Sequence, residues 1–293
     1  MDGYSGARTG ADAQQRGLVS HCYRMLASIT EAVEIAESAR GSYERATREC
    51  LTRAGSRPLP TDLAAASDDP AGELHQRSEV LWLEPIPSDL ADDHPIDLGY
   101  IAALQHLPAR QRAAALLHNL EGWPLSQVTD LLGPVELPRL HAPMSSVTDD
   151  ALLARYREAF EQYDVPAIVT FFADDAVWEM PPFTSWFRGP RNIGRLISTH
   201  CPAKGPGDQL MVPIQANHQP AFAVYMRDPN DNVHRAFQIQ VLALTAAGIV
   251  HAVAFFDLTL FQSFHLPELL TGLPPNLYDG TPRPHVERLP RHS

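Results

Sequence analysis

From residue 18 to about residue 51 apolar side chains recur every three to four positions (Leu18, Cys22, Met25, Leu26 and Ile29, then Val33, Ile35 and Ala36). That spacing predicts amphipathic helices. Residues 1–16, small and polar, predict disorder, and Pro58 and Pro60 close the helical segment. The helical period returns from about Leu98 to Gly133, with one helix started by Pro108 and a shorter one, Leu125–Leu132, closed by Gly133. Beyond Pro134, Pro138 and Pro143 the pattern changes. Thr148-Asp149-Asp150 offers an N-cap for a helix through Gln162, with Leu152, Leu153, Tyr156, Ala159 and Phe160 on one face. A short helix over 166–172 follows. Strand-like runs stand at 176–180, 209–215, 221–226, 236–244 and 249–258, with one helix over 191–200 after the first of them. This order predicts an α+β domain with a curved antiparallel sheet behind a helical N-terminal half.

The pattern divides the chain into helices over 1–60, a linker over 61–98, helices and a second linker over 99–146, the α+β domain over 147–270, and a proline-rich tail over 271–293. The first linker carries ten acids against one base, Arg77, and is expected to be solvated or wrapped on another surface. Net charge is −12, which argues against a large nucleic-acid footprint. Cys22, Cys50 and Cys201 are widely spaced and predict reduced thiols in a cytoplasmic protein. No apolar run is long enough to span a membrane, so no membrane partner is expected. Metal-ligand spacing is missing among the 13 histidines, and no glycine-rich phosphate loop stands out, so neither metal nor cofactor is expected.

Residues 104–133 read as the first half of a helix-turn-helix, which needs a second, basic helix to enter the major groove. Instead the chain runs Pro134-Val135-Glu136-Leu137-Pro138, where two prolines argue against a helix. HCYRMLAS at 21–28 and LPARQRAAALLHNLEGWPLSQVTDLLG at 107–133 resemble the promoter-melting and −35-reading regions of extracytoplasmic-function (ECF) sigma factors. The resemblance departs from the family twice. The stretch between Ser28 and Cys50 is short for the helices that bind polymerase and melt the −10 element, and the −35 recognition helix is absent after Gly133.

Residues 148–268 resemble the SnoaL-like branch of the NTF2-like superfamily. The residues that carry the resemblance are LLARYREAFEQYDVPAIVTFFADDAVWEMPPF, WFRGPRNI, ANHQPAFAVY and GIVHAVAFFDLTLF. Some ECF sigma factors carry such a domain at their C-terminus, so both resemblances fit one chain in one order. They imply a sigma-factor-like helical half followed by a cone-shaped domain around an apolar pocket.

The first stretch is also similar to ketosteroid isomerases, in which a tyrosine and a late-strand acid form an oxyanion hole and an aspartate is the base. The match puts Tyr156 at the tyrosine, Gln240 at the acid and Met180 at the base, so that isomerase reaction is not expected. Tyr156 and Gln240 remain candidate donors to a carbonyl or enolate. His218 is the candidate proton-transfer group, with His200 and Asn217 also near loop ends. Trp178, Met180, Trp186, Gln238, Asn217 and Phe256 are the candidate substrate contacts, whereas Glu179, His251 and Asp257 are expected to point outward or between domains. The leading expectation is a cofactor-free cyclase, isomerase or hydrolase for a small apolar metabolite, on a sigma-factor-derived scaffold that no longer binds promoter DNA, with RNA polymerase and DNA not expected as partners but left open. The alternatives are a divergent sigma factor or regulator with a SnoaL-like sensor, and a non-catalytic ligand-binding module. A homodimer is left open.

Overall fold

A computed structural model of the chain describes residues 3–140 and 147–270. The helical half opens with α1 (Gly3–Leu26), α2 (Ile29–Ala39) and α3 (Tyr43–Arg53). Helix α1 extends back to Gly3, which corrects the expectation of disorder over 1–16. Residues 11–16, ADAQQR, contain no glycine, proline or β-branched side chain and propagate the helix backward from Leu18. Ser28 and Ser42 cap α2 and α3, accepting from Glu31 N at 3.4 Å and Arg45 N at 3.2 Å. A single turn, α4 (Pro60–Leu63), and a 3-10 turn at Ser88–Leu90 interrupt the linker. Then come α5 (Leu98–Gln105), α6 (Ala109–Asn119) and α7 (Leu125–Leu132), with Asp97 capping α5 through Tyr100 N at 2.9 Å.

Gly133 ends α7 at a φ of 73°, a left-handed value that favours glycine. The Arg110 guanidinium sits on the Leu132 carbonyl and so satisfies the helix end that a continuing chain would otherwise use. Residues 134–140 then run on without a helix. The rest of the second linker (141–146) and the expected tail (271–293) lie outside the described residues.

The α+β half starts with α8 (Asp150–Glu161), capped by Asp149 through Leu152 N at 2.9 Å, then α9 (Val165–Ile168) and a 3-10 turn at Val169–Phe171. Strands β1 (Phe172–Glu179) and β2 (Phe187–Arg188) precede α10 (Pro190–His200). Strands β3 (Gln209–Ala216), β4 (Gln219–Arg227), β5 (His234–Thr245) and β6 (Gly248–Phe255) follow as a meander. Helix α11 (Leu260–Ser263) and β7 (Leu269–Leu270) come last. The sheet order is β2-β1-β6-β5-β4-β3, with β7 on β5. Among the described strands, β1 and β6 pair in parallel and the other pairs are antiparallel.

Period-two alternation sorts the strands onto two cores, because successive side chains leave opposite faces. Met211, Phe222, Val224, Leu242, Ala252 and Ala254 pack inward with Tyr156, Phe160, Ile193 and Ile197. Val212, Ala223, Tyr225, Ile239, Val241, Val253 and Phe255 share the outer core with Leu18, Tyr23, Ile35 and Ile101 of the helical half.

The linker over 61–98 lies between these bodies rather than in solvent. Leu83 and Ile86 are fully buried. Its acids find partners that the charge count alone leaves unspecified. Glu84 Oε2 accepts from Ser28 Oγ and Ile29 N, both at 2.9 Å, and Asp92 holds the fully buried Arg24, which also donates to Pro95 O at 3.0 Å. Buried charges persist only when paired in this way.

Candidate functional site

The inner face of the sheet, α8 and α10 enclose a cavity of about 350 Å³. Phe160 comes from α8, Leu196, Ile197 and His200 from α10, Trp178 from β1, and Phe237 and Gln238 from β5. Met180, Phe183, Cys201, Pro202, Gln209 and Phe256 complete the protein wall of the cone, and Leu74 and Gln76 reach in from the first linker. The aromatic rings are locked against one another. Phe160 and Trp178 stack with centroids 6.4 Å apart, and Phe256 meets Phe183 and Phe237 edge-on at 5.5 and 5.2 Å. Among the described residues, the lining holds no Asp, Glu, Lys or Arg, so His200 and Cys201 are its titratable groups. Burial pushes the Cys201 thiol above its ordinary pKa, and its sulfur accepts from Gln209 Nε2 at 2.8 Å.

Five of the residues singled out from the sequence line this cavity: Trp178, Met180, His200, Gln238 and Phe256. Tyr156 and Gln240 are brought together, Tyr156 Oη donating to Gln240 Oε1 at 2.8 Å, but neither lines the cavity. The Tyr156 ring is enclosed by Phe160, Phe171, Phe172 and Phe222, with centroids between 4.8 and 6.0 Å, and burial drives its hydroxyl pKa up. The Tyr156 hydroxyl is therefore spent on the Gln240 carbonyl behind an aromatic wall.

Three expected site residues lie elsewhere. His218 is an exposed residue of the β3–β4 turn, where it and Asn217 both take a φ of 55°; its backbone N–H donates to Ser88 Oγ at 2.9 Å. Asn217 is fully buried on the opposite side of the sheet. Its Oδ1 accepts from Ile86 N at 3.0 Å, and its Nδ2 donates to Tyr23 Oη at 2.9 Å and Ile96 O at 2.8 Å. It clamps the sheet to α1 and the linker. Trp186 likewise turns from the cavity to the linker, donating from Nε1 to Ala64 O at 2.8 Å. In all three cases the linker competes for polar groups that sequence alone leaves free.

Glu179 is the interdomain acid its strand parity predicts. Fully buried, it accepts from Thr61 N at 2.7 Å and contacts His251 Nε2 at 2.7 Å. The cavity residues the sequence reading did not single out are mainly Leu74 and Gln76, for which no periodicity gave a signal, and Phe160, read only as a helix-face residue. Trp178 Nε1, His200 Nε2 and Gln240 Nε2 are buried polar atoms of this half without a hydrogen-bond partner. The first two belong to lining residues. Among the described residues, no group of His, Cys, Asp and Glu is placed to hold a metal ion. Nor is any helix there long and apolar enough to cross a membrane.

A cone of sheet and helices around an apolar cavity defines a SnoaL-like domain, and residues 153–248 match that domain family. The whole chain reaches further. It is 40% identical over 309 aligned positions to the ECF RNA polymerase sigma factor SigG of Mycobacterium tuberculosis, strains CDC 1551 / Oshkosh and H37Rv, covering 87% of this chain and 82% of the relative. The chain belongs to that ECF sigma factor family. The crystal structure of the M. tuberculosis extracytoplasmic function sigma factor SigJ superposes with a TM-score of 0.62 at 15% identity, over 89% of this chain and 99% of that one. At that identity the likeness speaks for the fold, helical half and cone together. The alignment with SigG is longer than the whole of this 293-residue chain, so SigG carries internal stretches that this chain lacks.

Proposed function

We propose that the protein acts in transcription as an ECF-type sigma factor, docking on core RNA polymerase through its helical half, with the SnoaL-like domain as a ligand-binding regulatory unit. The observation that carries this reading is the 40% identity to SigG across both halves in the same order. The cavity supports a binding role over a catalytic one. Its wall offers no carboxylate base, and the Tyr156–Gln240 pair that could stabilise an oxyanion is closed off by rings. The net charge of −12 and the helix-free run after Gly133 favour a protein that reaches DNA through polymerase rather than by itself. Gel filtration of the full chain with purified core polymerase tests the reading. Co-elution is the expected result, and separate elution at micromolar concentrations overturns it.

A further inference from the structure

The cavity is not closed by the SnoaL-like domain alone. Leu74 and Gln76 belong to the linker that joins the two helical units, and this strap is stitched across the cavity by backbone bonds. Arg77 N donates to Pro182 O at 2.9 Å and Thr184 N to His75 O at 3.2 Å, with Gln76 bridging Phe183 in antiparallel register. Under the strap lie the Phe160–Trp178 stack and two ring nitrogens, Trp178 Nε1 and His200 Nε2, that are buried and without partners. Trp178 is 3% exposed. Buried donors left unpaired in a native protein call for an explanation, and an acceptor supplied by a guest is one.

We propose that the cavity binds a flat, apolar molecule carrying a hydrogen-bond-accepting carbonyl, and that this ligand clamps the linker onto the SnoaL-like domain. This deepens the regulatory reading above and rests on it. The apolar body fits between the rings, and a volume of about 350 Å³ falls in the range of small-molecule sites. The acceptor meets the free indole N–H and, in the tautomer that carries the proton on Nε2, the His200 imidazole. Because Leu74 and Gln76 form part of the wall, a ligand that touches them binds the strapped state more tightly than a state with the strap lifted. By linkage it stabilises that strap by the same factor. The linker also carries Glu84, which holds Ser28 and Ile29 at the start of α2, and Asp92, which holds Arg24 of α1, so occupancy reaches the helical half through one continuous segment.

The test uses prodan, an apolar naphthyl ketone whose emission shifts to the blue in a dry site, and trypsin. Arg77 is the one Lys or Arg between Pro58 and Pro108, so a new N-terminus at Ser78, read by mass spectrometry, reports strap opening alone. The expected result is saturable blue-shifted emission in the full chain, abolished by Met180→Trp. Trp178→Phe and His200→Phe, which keep a ring and remove the donor, should each weaken binding roughly three- to tenfold. At ten times the dissociation constant, prodan should slow cleavage after Arg77 about tenfold. Absence of saturable binding, or binding indifferent to all three substitutions, overturns the site. Binding with unchanged cleavage overturns the clamp. Failure here with intact polymerase co-elution leaves the sigma-factor reading standing, so the two are separable.

Discussion

Asn217→Gly removes the side chain that ties the sheet to α1 and the linker, and its effect can be worked from the hydrogen bonds. It strips the partners from Ile86 N and Ile96 O, whose residues are 0% and 1% exposed, while Tyr23 keeps its bond to Glu84 O at 2.6 Å. Each orphaned buried backbone group costs about 1–3 kcal/mol, so the variant should lose about 2–6 kcal/mol. Glycine suits the φ of 55°; alanine does not, and Asn217→Ala should lose about 1 kcal/mol more. Against a typical total of about 5–15 kcal/mol, either change is large. Urea unfolding followed by tryptophan fluorescence and circular dichroism gives the differences, with His218→Gly as control. That side chain is exposed at the same φ, so the control should not destabilise and should gain at most about 1 kcal/mol from relieved backbone strain. A loss under about 1 kcal/mol in Asn217→Gly would refute the clamp and with it the view that this turn joins the halves.

Other outcomes follow from the buried polar groups. Asp92→Ala leaves the fully buried Arg24 unpaired and should destabilise by about 3–5 kcal/mol in thermal or urea unfolding, with Arg24→Met restoring part of the loss in the double variant. His21 is buried against Thr47 Oγ1 at 2.8 Å, and burial first, then the Arg24 charge, drive its pKa down to about 3 from 6.5. A base with a depressed folded pKa contributes fully above pH 6.5 and loses that contribution as pH falls toward 3, at about 1.4 kcal/mol per pH unit. Between pH 7 and 5 the wild type should therefore lose about 2 kcal/mol more than His21→Gln; equal losses would refute the assignment. Tyr156→Phe leaves Gln240 without its hydroxyl partner and should cost about 1–3 kcal/mol of stability, yet leave prodan affinity unchanged, because the pair stands behind the cavity wall.

Much of the fold was legible because it rests on local rules. Asp149 caps α8 as its position before the apolar stripe predicts, Gly133-Pro134 stops α7, and period two assigns Trp178 and Met180 inward and Glu179 outward. What escaped was set by long-range contact. The linker reads as solvated acid and proline, yet Leu83 and Ile86 are core residues, since isolated apolar positions in an aperiodic stretch show no face until their partner is known. The same ignorance misplaced Asn217 and Trp186, whose polar atoms serve the linker rather than a ligand. Resemblance singled out Tyr156 and Gln240 as donors to a ligand, but could not reveal that the hydroxyl is consumed by the amide and shut in by rings.

The most direct test of the account is fluorescence anisotropy of the labelled full chain titrated with core RNA polymerase, with and without promoter DNA, at low and high salt. The account predicts tight binding that requires polymerase, and no salt-dependent retention on DNA alone, as befits a chain of net charge −12 whose residues 134–140 form no helix after α7. Binding to promoter DNA in the absence of polymerase, or indifference to polymerase, would contradict it.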